Sequence, residues 1–251
     1  WGTTSPLKPY TREGYESLLR VHILPRFGDV PIGRIQPLDV REWVSERHSS
    51  GLSPSRVRQA YYLVAQILRA GVESGYLTRT PCIGVKLPRM QCREMRFLTA
   101  EQVRLIADAM REPYDTLVYV LAYGGVRWGE ACALRRGRCE LLRSRLHVAE
   151  SLSEIRGGFD FGPTKTYQRR TVVLPGFLRE SLAEHLAHHV EADPEALVFT
   201  EPRGGPLRRK AFSANHWKPA LESAGIEDLR VHDLRHTCAS LLIATGANPK
   251  A

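Results

Sequence analysis

The sequence predicts a mainly α protein with a small antiparallel β-sheet, laid out as an all-helical domain followed by a mainly helical α+β domain. Three observations predict it. Apolar residues recur at three- and four-residue spacings up to residue 75, the period of an amphipathic helix. A basic, aperiodic stretch at residues 87–96 then interrupts the pattern. Beyond it, helical segments alternate with short runs rich in branched residues, which read as strands.

Taken in order, residues 11–23 place Tyr15, Leu18, Leu19 and His22 on one helical face, with Pro25 and Gly28 as stop signals. Pro37 suits the first turn of a short helix carrying Leu38, Val40, Trp43 and Val44. Ser53-Pro54 opens a longer helix with Val57, Tyr61, Val64, Ile67, Leu68 and Val72, ended near Gly75. After the basic stretch, Thr99 and Gln102 form a capping box. The apolar segment 117–123 breaks at Gly124-Gly125, and residues 126–134 read as another helix. Strands are expected at 146–151, 170–174 and 197–200. Helices return at 177–190, 211–224 and 232–245, with Gly246 as the last stop. The domains expected from this pass are a helical domain at 1–88, a basic linker at 89–97 and an α+β domain at 98–251.

Composition narrows the function classes. At 43% apolar and 25% charged residues, the 251-residue chain is neither disordered nor fibrous. Its longest apolar run, residues 117–123, is too short to span a bilayer, and the first residues carry no secretory leader pattern. Five cysteines (Cys82, Cys92, Cys132, Cys139, Cys238) with no CxxC pair argue against a disulfide framework or a thiolate zinc site, and for reduced thiols in a cytosol. The net charge is +9, and 30 of the 36 basic residues are arginine. Arginine forks match phosphate oxygens, so a polyanionic partner is expected, although arginines filling solvated faces explain the composition equally well. Residues 1–95 carry +6 of the excess.

Three clusters carry candidate chemistry. In Gly125-Val126-Arg127-Trp128-Gly129-Glu130 an arginine follows a glycine break at a helix start, with Glu130 placed three residues on to hold its guanidinium. A surface ion pair is the plainer reading of that segment alone. Lys165 lies in the turn before the strand at 170–174, where a lysine is usually just solvated. In Val231-His232-Asp233-Leu234-Arg235-His236, His232 and Arg235 share a helix face and would set a proton-transfer group beside a fixed cation. The last cluster also resembles an HExxH zinc helix, but Arg235 would sit beside the dication and no third ligand motif follows. His185, His188 and His189 read as a solvated histidine face rather than a metal site.

Together and in this order, the clusters resemble those of the tyrosine recombinase (phage integrase) family. There a G-x-R-x-x-E segment, a lysine on a β-turn and an H-x-L-R-H helix surround one scissile phosphate. The resemblance spans nearly the whole chain, including His22-Ile23-Leu24-Pro25-Arg26-Phe27-Gly28 and the Leu87-Pro88 exit, which look like those of the family's helical core-binding (SAM-like) domain. It implies a site-specific DNA recombinase that cleaves and rejoins duplex DNA through a 3′-phosphotyrosyl link. Arg127 and Arg235 would neutralise the phosphate, Lys165 would protonate the departing 5′-oxygen and His232 would move the nucleophile's proton, with Glu130 and His236 in support. It implies no metal and no cofactor. The partners it implies are a double-stranded recombination site, a DNA-bound homotetramer of the full-length protein and an accessory DNA-bending protein, at the nucleoid in the cytoplasm of a bacterial host.

The chain departs from the pattern in two places. The family carries a second His or Trp and then the nucleophilic Tyr downstream of the H-x-x-R helix, whereas the sequence runs only to Ala251 and none of its nine tyrosines is suitably placed. Tyr167 is nearest to a catalytic position but belongs to the lysine hairpin. Both ends are therefore expected to be trimmed, and the chain is expected to bind DNA without cleaving it. Arg135-Arg136-Gly137-Arg138, where relatives commonly have an aromatic and an acidic residue, adds positive charge without an assigned target. The alternative function is a DNA-binding relative or regulator without catalysis.

Overall fold

Three helices of the N-terminal half begin on a proline: α1 (Pro9–Leu18), α3 (Pro37–Ser49) and α4 (Pro54–Glu73). At that position the missing N–H has no helical partner to lose and the fixed φ already suits the helix. The computed structural model describes residues 7–90 and 94–244. The chain divides into two compact units, Trp1–Arg93 and Glu94–Ala251.

In the first unit the helix begun by α1 does not stop at Pro25. A π-helical turn, Leu19–Ile23, leads directly into α2 (Leu24–Phe27). The Leu24 N–H bonds the Leu19 carbonyl five residues back. The wide turn absorbs the following proline, which has no N–H to place and whose ring crowds the turn before it. Helices α3 and α4 close over this element and bury Leu18, Ile23, Val40, Trp43, Val44, Val57, Ala60, Leu63, Val64 and Leu68. Trp43 is fully buried, donates from Nε1 to the His22 carbonyl at 2.9 Å and packs edge-on against Phe27.

The basic stretch at 89–97 is shared between the two units. Residues 91–93 (with Cys92 and Arg93), like residues 1–6 and the expected stop at Gly246, lie outside the described residues. Arg96 donates to the Glu227 carbonyl, and the Leu98 N–H bonds Thr237 Oγ1 at 3.1 Å, so the end of the stretch is held by the second unit.

The second unit is built around α6 (Asp115–Gly124), whose Leu117, Val118, Val120, Leu121 and Ala122 are all buried. Around it stand α5 (Ala100–Ala109), opened by the Thr99–Gln102 capping box, α7 (Trp128–Cys132), α8 (Gly176–His189) and α11 (Asp233–Ala244). A second helical stretch combines α9 (Arg209–Phe212), a π-turn at Ser213–Trp217 and α10 (Lys218–Ser223). There too the wide turn precedes a proline, Pro219.

The β structure differs from expectation. Two antiparallel sheets form instead of one. Strands β1 (Cys139–Glu140), β2 (Arg145–Val148) and β5 (Arg170–Val173) pair in the order β1-β2-β5, while β3 (Glu150–Ile155) and β4 (Gly158–Pro163) make a separate hairpin. The strand expected at 146–151 is thus split at Ala149 between two sheets, and β4, rich in Gly and poor in branched residues, gave no strand signal. The turn bearing Lys165 joins β4 to β5, strands of different sheets, so it is not a hairpin turn. Residues 197–200 form no strand. Val198 and Phe199 are buried, but the backbone makes only the isolated bridges Arg135–Leu197 and Thr200–Pro206. The apolar run there reflects core burial without a neighbouring strand to pair with.

Two arginines of the 135–138 cluster prove structural. Arg136 donates to the Leu186 and Val190 carbonyls (2.6 and 3.1 Å), capping the C-terminal end of α8, where a cation also complements the helix dipole. Arg135 donates to the Glu195 carbonyl, lies near Glu150 and Glu195, and sits over the Phe161 ring. His185 is not solvated: it is buried with Nε2 2.7 Å from the Val198 carbonyl, whereas His188 and His189 are exposed.

Trp43→Phe removes the donor to the His22 carbonyl and is expected to lower the stability of the first unit by about 1–3 kcal/mol. Differential scanning calorimetry should show that unit's transition moving down while the second unit's transition stays in place.

Candidate active site

The site starts at the break after α6. Gly125 adopts φ +56°, in the left-handed region, and a Cβ there would lie 2.9 Å from Cys238 Sγ. Val126 is buried beneath this turn, and Arg127 occupies the N-cap of α7. Glu130, at the third helical position, accepts the Arg127 N–H at 2.8 Å and the Arg127 Nη1 at 2.8 Å. One residue before it, a Cβ on Gly129 would meet the Leu152 carbonyl at 2.5 Å and Ser151 Oγ at 2.7 Å. Only glycine lets α7 lie this close to β3, and that approach presses Glu130 inward.

The Glu130 side chain is fully enclosed, with 0% of its surface exposed. A buried carboxylate needs partners. Besides Arg127 it receives a fork from Arg170 on β5, with Nη1–Oε1 at 3.0 Å and Nη2–Oε2 at 2.6 Å. Burial alone would raise its pKa, but the hydrogen bonds from Arg170 and Arg127 outweigh burial and hold it at about 2, against an ordinary 4.5.

Arg235 reaches in from α11 and donates to the Gly125 carbonyl. One turn on, Cys238 Sγ bonds the Tyr123 carbonyl at 3.4 Å, so α11 grips the end of α6 twice. Burial, then the positive charges of Arg127 and Arg170, lower the pKa of Arg235. Two guanidiniums therefore bond one carboxylate, and a third stands close enough to feel the charges of all three groups. The formal surplus of two positive charges in a half-buried site is an anion-binding arrangement with fixed donors.

His232 lies just before α11, within a segment closed by a second arginine–carboxylate device. Arg230 binds the buried Asp233 through its N–H (2.9 Å), Nε (3.1 Å) and Nη2 (2.7 Å). Burial, followed by the charges of His236, Arg235 and Arg209, lowers the His232 pKa more than Asp233 raises it. The imidazole is thus neutral at neutral pH and able to accept a proton. The His236 ring stands edge-on to it at 5.0 Å between centroids.

Of the residues expected to act together, Arg127 and Glu130 are bonded, Arg235 feels the charge of both, and His232 stands one turn before Arg235 with its ring against that of His236. Lys165 does not join them directly. It is exposed on a turn closed by the Thr164 hydroxyl to the Gln168 carbonyl (2.9 Å) and by the Tyr167 N–H to the Thr164 carbonyl (3.0 Å). Tyr167 is itself exposed there at φ +58°. The sequence reading missed Arg170 as a site residue and missed Arg209 as a charge facing His232. Arg170 did leave a signal. It shares a strand face with Val172 and the buried Leu174, and an arginine on the inward face of a strand calls for a carboxylate. Among the described residues no group of three or more His, Cys, Asp or Glu side chains is gathered as metal ligands would be, and no helix is long and apolar enough to cross a membrane.

Comparison with known proteins fits this arrangement. Residues 96–251 match the Phage integrase family. The chain belongs to that family, the tyrosine recombinases. Residues 4–47 also match the phage integrase N-terminal SAM-like domain. Among integrases, the chain is 30% identical over 256 residues to that of Mycobacterium phage D29, covering 100% of this chain and 67% of the relative. It is likewise 30% identical over 251 residues to the putative prophage phiRv2 integrase of Mycobacterium tuberculosis, covering 98% of this chain and 66% of the relative. The chain thus spans about two thirds of the length of these integrases. Solved structures share its fold. The Tn1549 transposon integrase in complex with a circular intermediate DNA superposes with a TM-score of 0.85 at 17% identity, covering 99% of this chain and 85% of that one. A lambda integrase dimer bound to a COC′ core site gives a TM-score of 0.74 at 16% identity, over 96% and 85% of the two chains.

The depressed pKa of Glu130 predicts an acid-labile integrase. Its ionised form contributes stability that is complete above about pH 4.5 and is lost as pH falls towards about 2. Thermal melts between pH 7 and pH 2 should show the second unit weakening across that window. Glu130→Gln should start lower at pH 7 and lack this component; an unchanged acid limb would show that Glu130 is not the titrating group.

Proposed function

We propose that this chain is the DNA-binding part and most of the catalytic part of a site-specific recombinase, which cleaves and rejoins duplex DNA through a 3′-phosphotyrosyl intermediate. The observation that carries the proposal is the cluster of Arg127 and Arg170, both bonded to the buried Glu130, with Arg235, held on the Gly125 carbonyl, and a neutral His232 beside them. Attack on a phosphodiester builds negative charge on the non-bridging oxygens, and Arg127 and Arg235 are the cations available to neutralise it. Fixed donors of this kind each lower a barrier by about 3–4 kcal/mol. His232 accepts the proton released as the nucleophile attacks. Lys165, exposed on a closed turn, delivers a proton to the departing 5′-oxygen once DNA lies over the site. The nucleophile we assign to a tyrosine outside residues 1–251. Covalent capture keeps the energy of the broken bond for rejoining.

The same reading assigns the partners. They are a double-stranded recombination site, further copies of the full-length protein assembled on DNA and an accessory DNA-bending protein, all in the cytoplasm of a bacterial host. The related folds lend support, since one of them is a lambda integrase tetramer bound to a Holliday junction, with a TM-score of 0.74 at 16% identity. The +6 excess on residues 1–95 suits phosphate contacts by the first unit.

The test uses the full-length protein and nicked duplexes drawn from the sequence flanking its gene, where a severed strand traps the covalent intermediate. A protein–DNA adduct is expected. Arg127→Ala and Arg235→Ala should each lower its rate of formation about 100- to 1,000-fold while binding persists. No adduct on any such duplex, with salt-sensitive binding that neither substitution alters, would instead identify a DNA-binding module without catalysis.

A further inference from the structure

Arg170 and Arg127 hold the same carboxylate in different ways. Arg170 gives both of its outer nitrogens to Glu130, one to each oxygen, at 3.0 and 2.6 Å. Arg127 gives its backbone N–H and only Nη1 of its side chain. The two side chains are equally exposed, at 32% and 31%. With its fork turned inward, Arg170 has little left to offer an external anion, whereas Arg127 retains Nη2 and Nε.

We propose that Arg170 is a positioning residue for strand transfer: by clamping Glu130 it fixes the guanidinium of Arg127 and anchors the start of β5, just past the Lys165 turn, against α7. This rests on the reading of the site as a phosphodiester centre. Without Arg170, Glu130 is held by Arg127 alone and is free to rotate and draw further N–H groups of Arg127 onto itself, away from the phosphate. The strand carrying Arg170 also loses its tie to α7. Lys165 is five residues upstream, on a turn that Thr164 closes onto Gln168, so a shift of β5 carries the lysine with it. The clamp has a second effect. Arg127, Arg170 and Arg235 repel one another, and a correctly aimed Glu130 is what offsets that repulsion.

The test compares Arg170→Gln and Arg170→Lys in the full-length protein. Single-turnover cleavage at saturating DNA should fall about 10- to 100-fold in Arg170→Gln, as for a misaimed catalytic group, while the DNA dissociation constant moves less than about threefold. Arg170→Lys keeps the charge but not the fork and should recover only part of the rate. A weakened affinity with an unchanged rate at saturation would make Arg170 a phosphate contact and overturn the proposal. So would an unchanged rate in both variants. If Arg170→Gln does not fold, Arg170→Lys carries the same comparison. A second readout needs no DNA. The Arg127 guanidinium 15N resonances, assigned by their loss in Arg127→Lys, should be split by hindered rotation in the wild type and averaged in the Arg170 variants. Wild-type protein that never cleaves counts against strand transfer alone, while Arg127 resonances indifferent to Arg170 count against the clamp alone.

Discussion

A carboxylate enclosed by protein has to be paired, and Glu130 is paired twice. That requirement fixes much of the second unit. Arg127 must stand at the N-cap of α7 to reach it, so α7 starts where it does. Arg170 must face inward from β5, which sets the phase of that strand against β2, with Val148 opposite Arg170 and Arg145 opposite Val173. Gly129 must lack a side chain so that α7 can press against β3. A helix start, a strand and a hairpin are thereby joined at one point.

The remaining wall of the site comes from α11, and it too is seated by backbone groups rather than by packing alone. Arg235 and Cys238, one turn apart, bond the carbonyls of Gly125 and Tyr123 at the end of α6. The left-handed turn at Gly125 presents its carbonyl to Arg235 and leaves room for the cysteine. The Arg230–Asp233 pair then fixes the chain on either side of His232. Each half of the site uses an arginine three residues before an acid at a helix start. In one half the arginine keeps donors free for a ligand; in the other its role is to hold the segment in place.

Much of this was legible in the sequence where local chemistry decides the outcome. Proline starts, the Thr99–Gln102 box and the break at Gly124-Gly125 all depend on neighbouring residues, and the helices follow them. The pairing of Arg127 with Glu130 is likewise local, three residues apart. What the sequence did not reveal depends on distant partners. Arg170 meets Glu130 across 40 residues. The buried Val198 and Phe199 resemble a strand in composition yet have no adjacent strand to pair with. The division of 146–151 between two sheets turns on a single residue, Ala149, with no glycine or proline there to mark a break. Pro25 looked like a stop because periodicity does not register a π-turn that makes room for it. Arg135 and Arg136 had no assignable target because the carbonyls they bind lie some 50 to 60 residues away.

The family relationship and the proposed mechanism meet at one claim: the buried Glu130, clamped by Arg170, aims Arg127 at the phosphate that Arg235 also binds. A crystal structure of the full-length protein trapped on a nicked duplex tests it most directly. The account predicts one phosphate within hydrogen-bond distance of both Arg127 and Arg235, with the Arg170 fork still closed on Glu130. Arg127 and Arg235 bound to different phosphates, or Arg170 released from Glu130 onto the DNA, would contradict it.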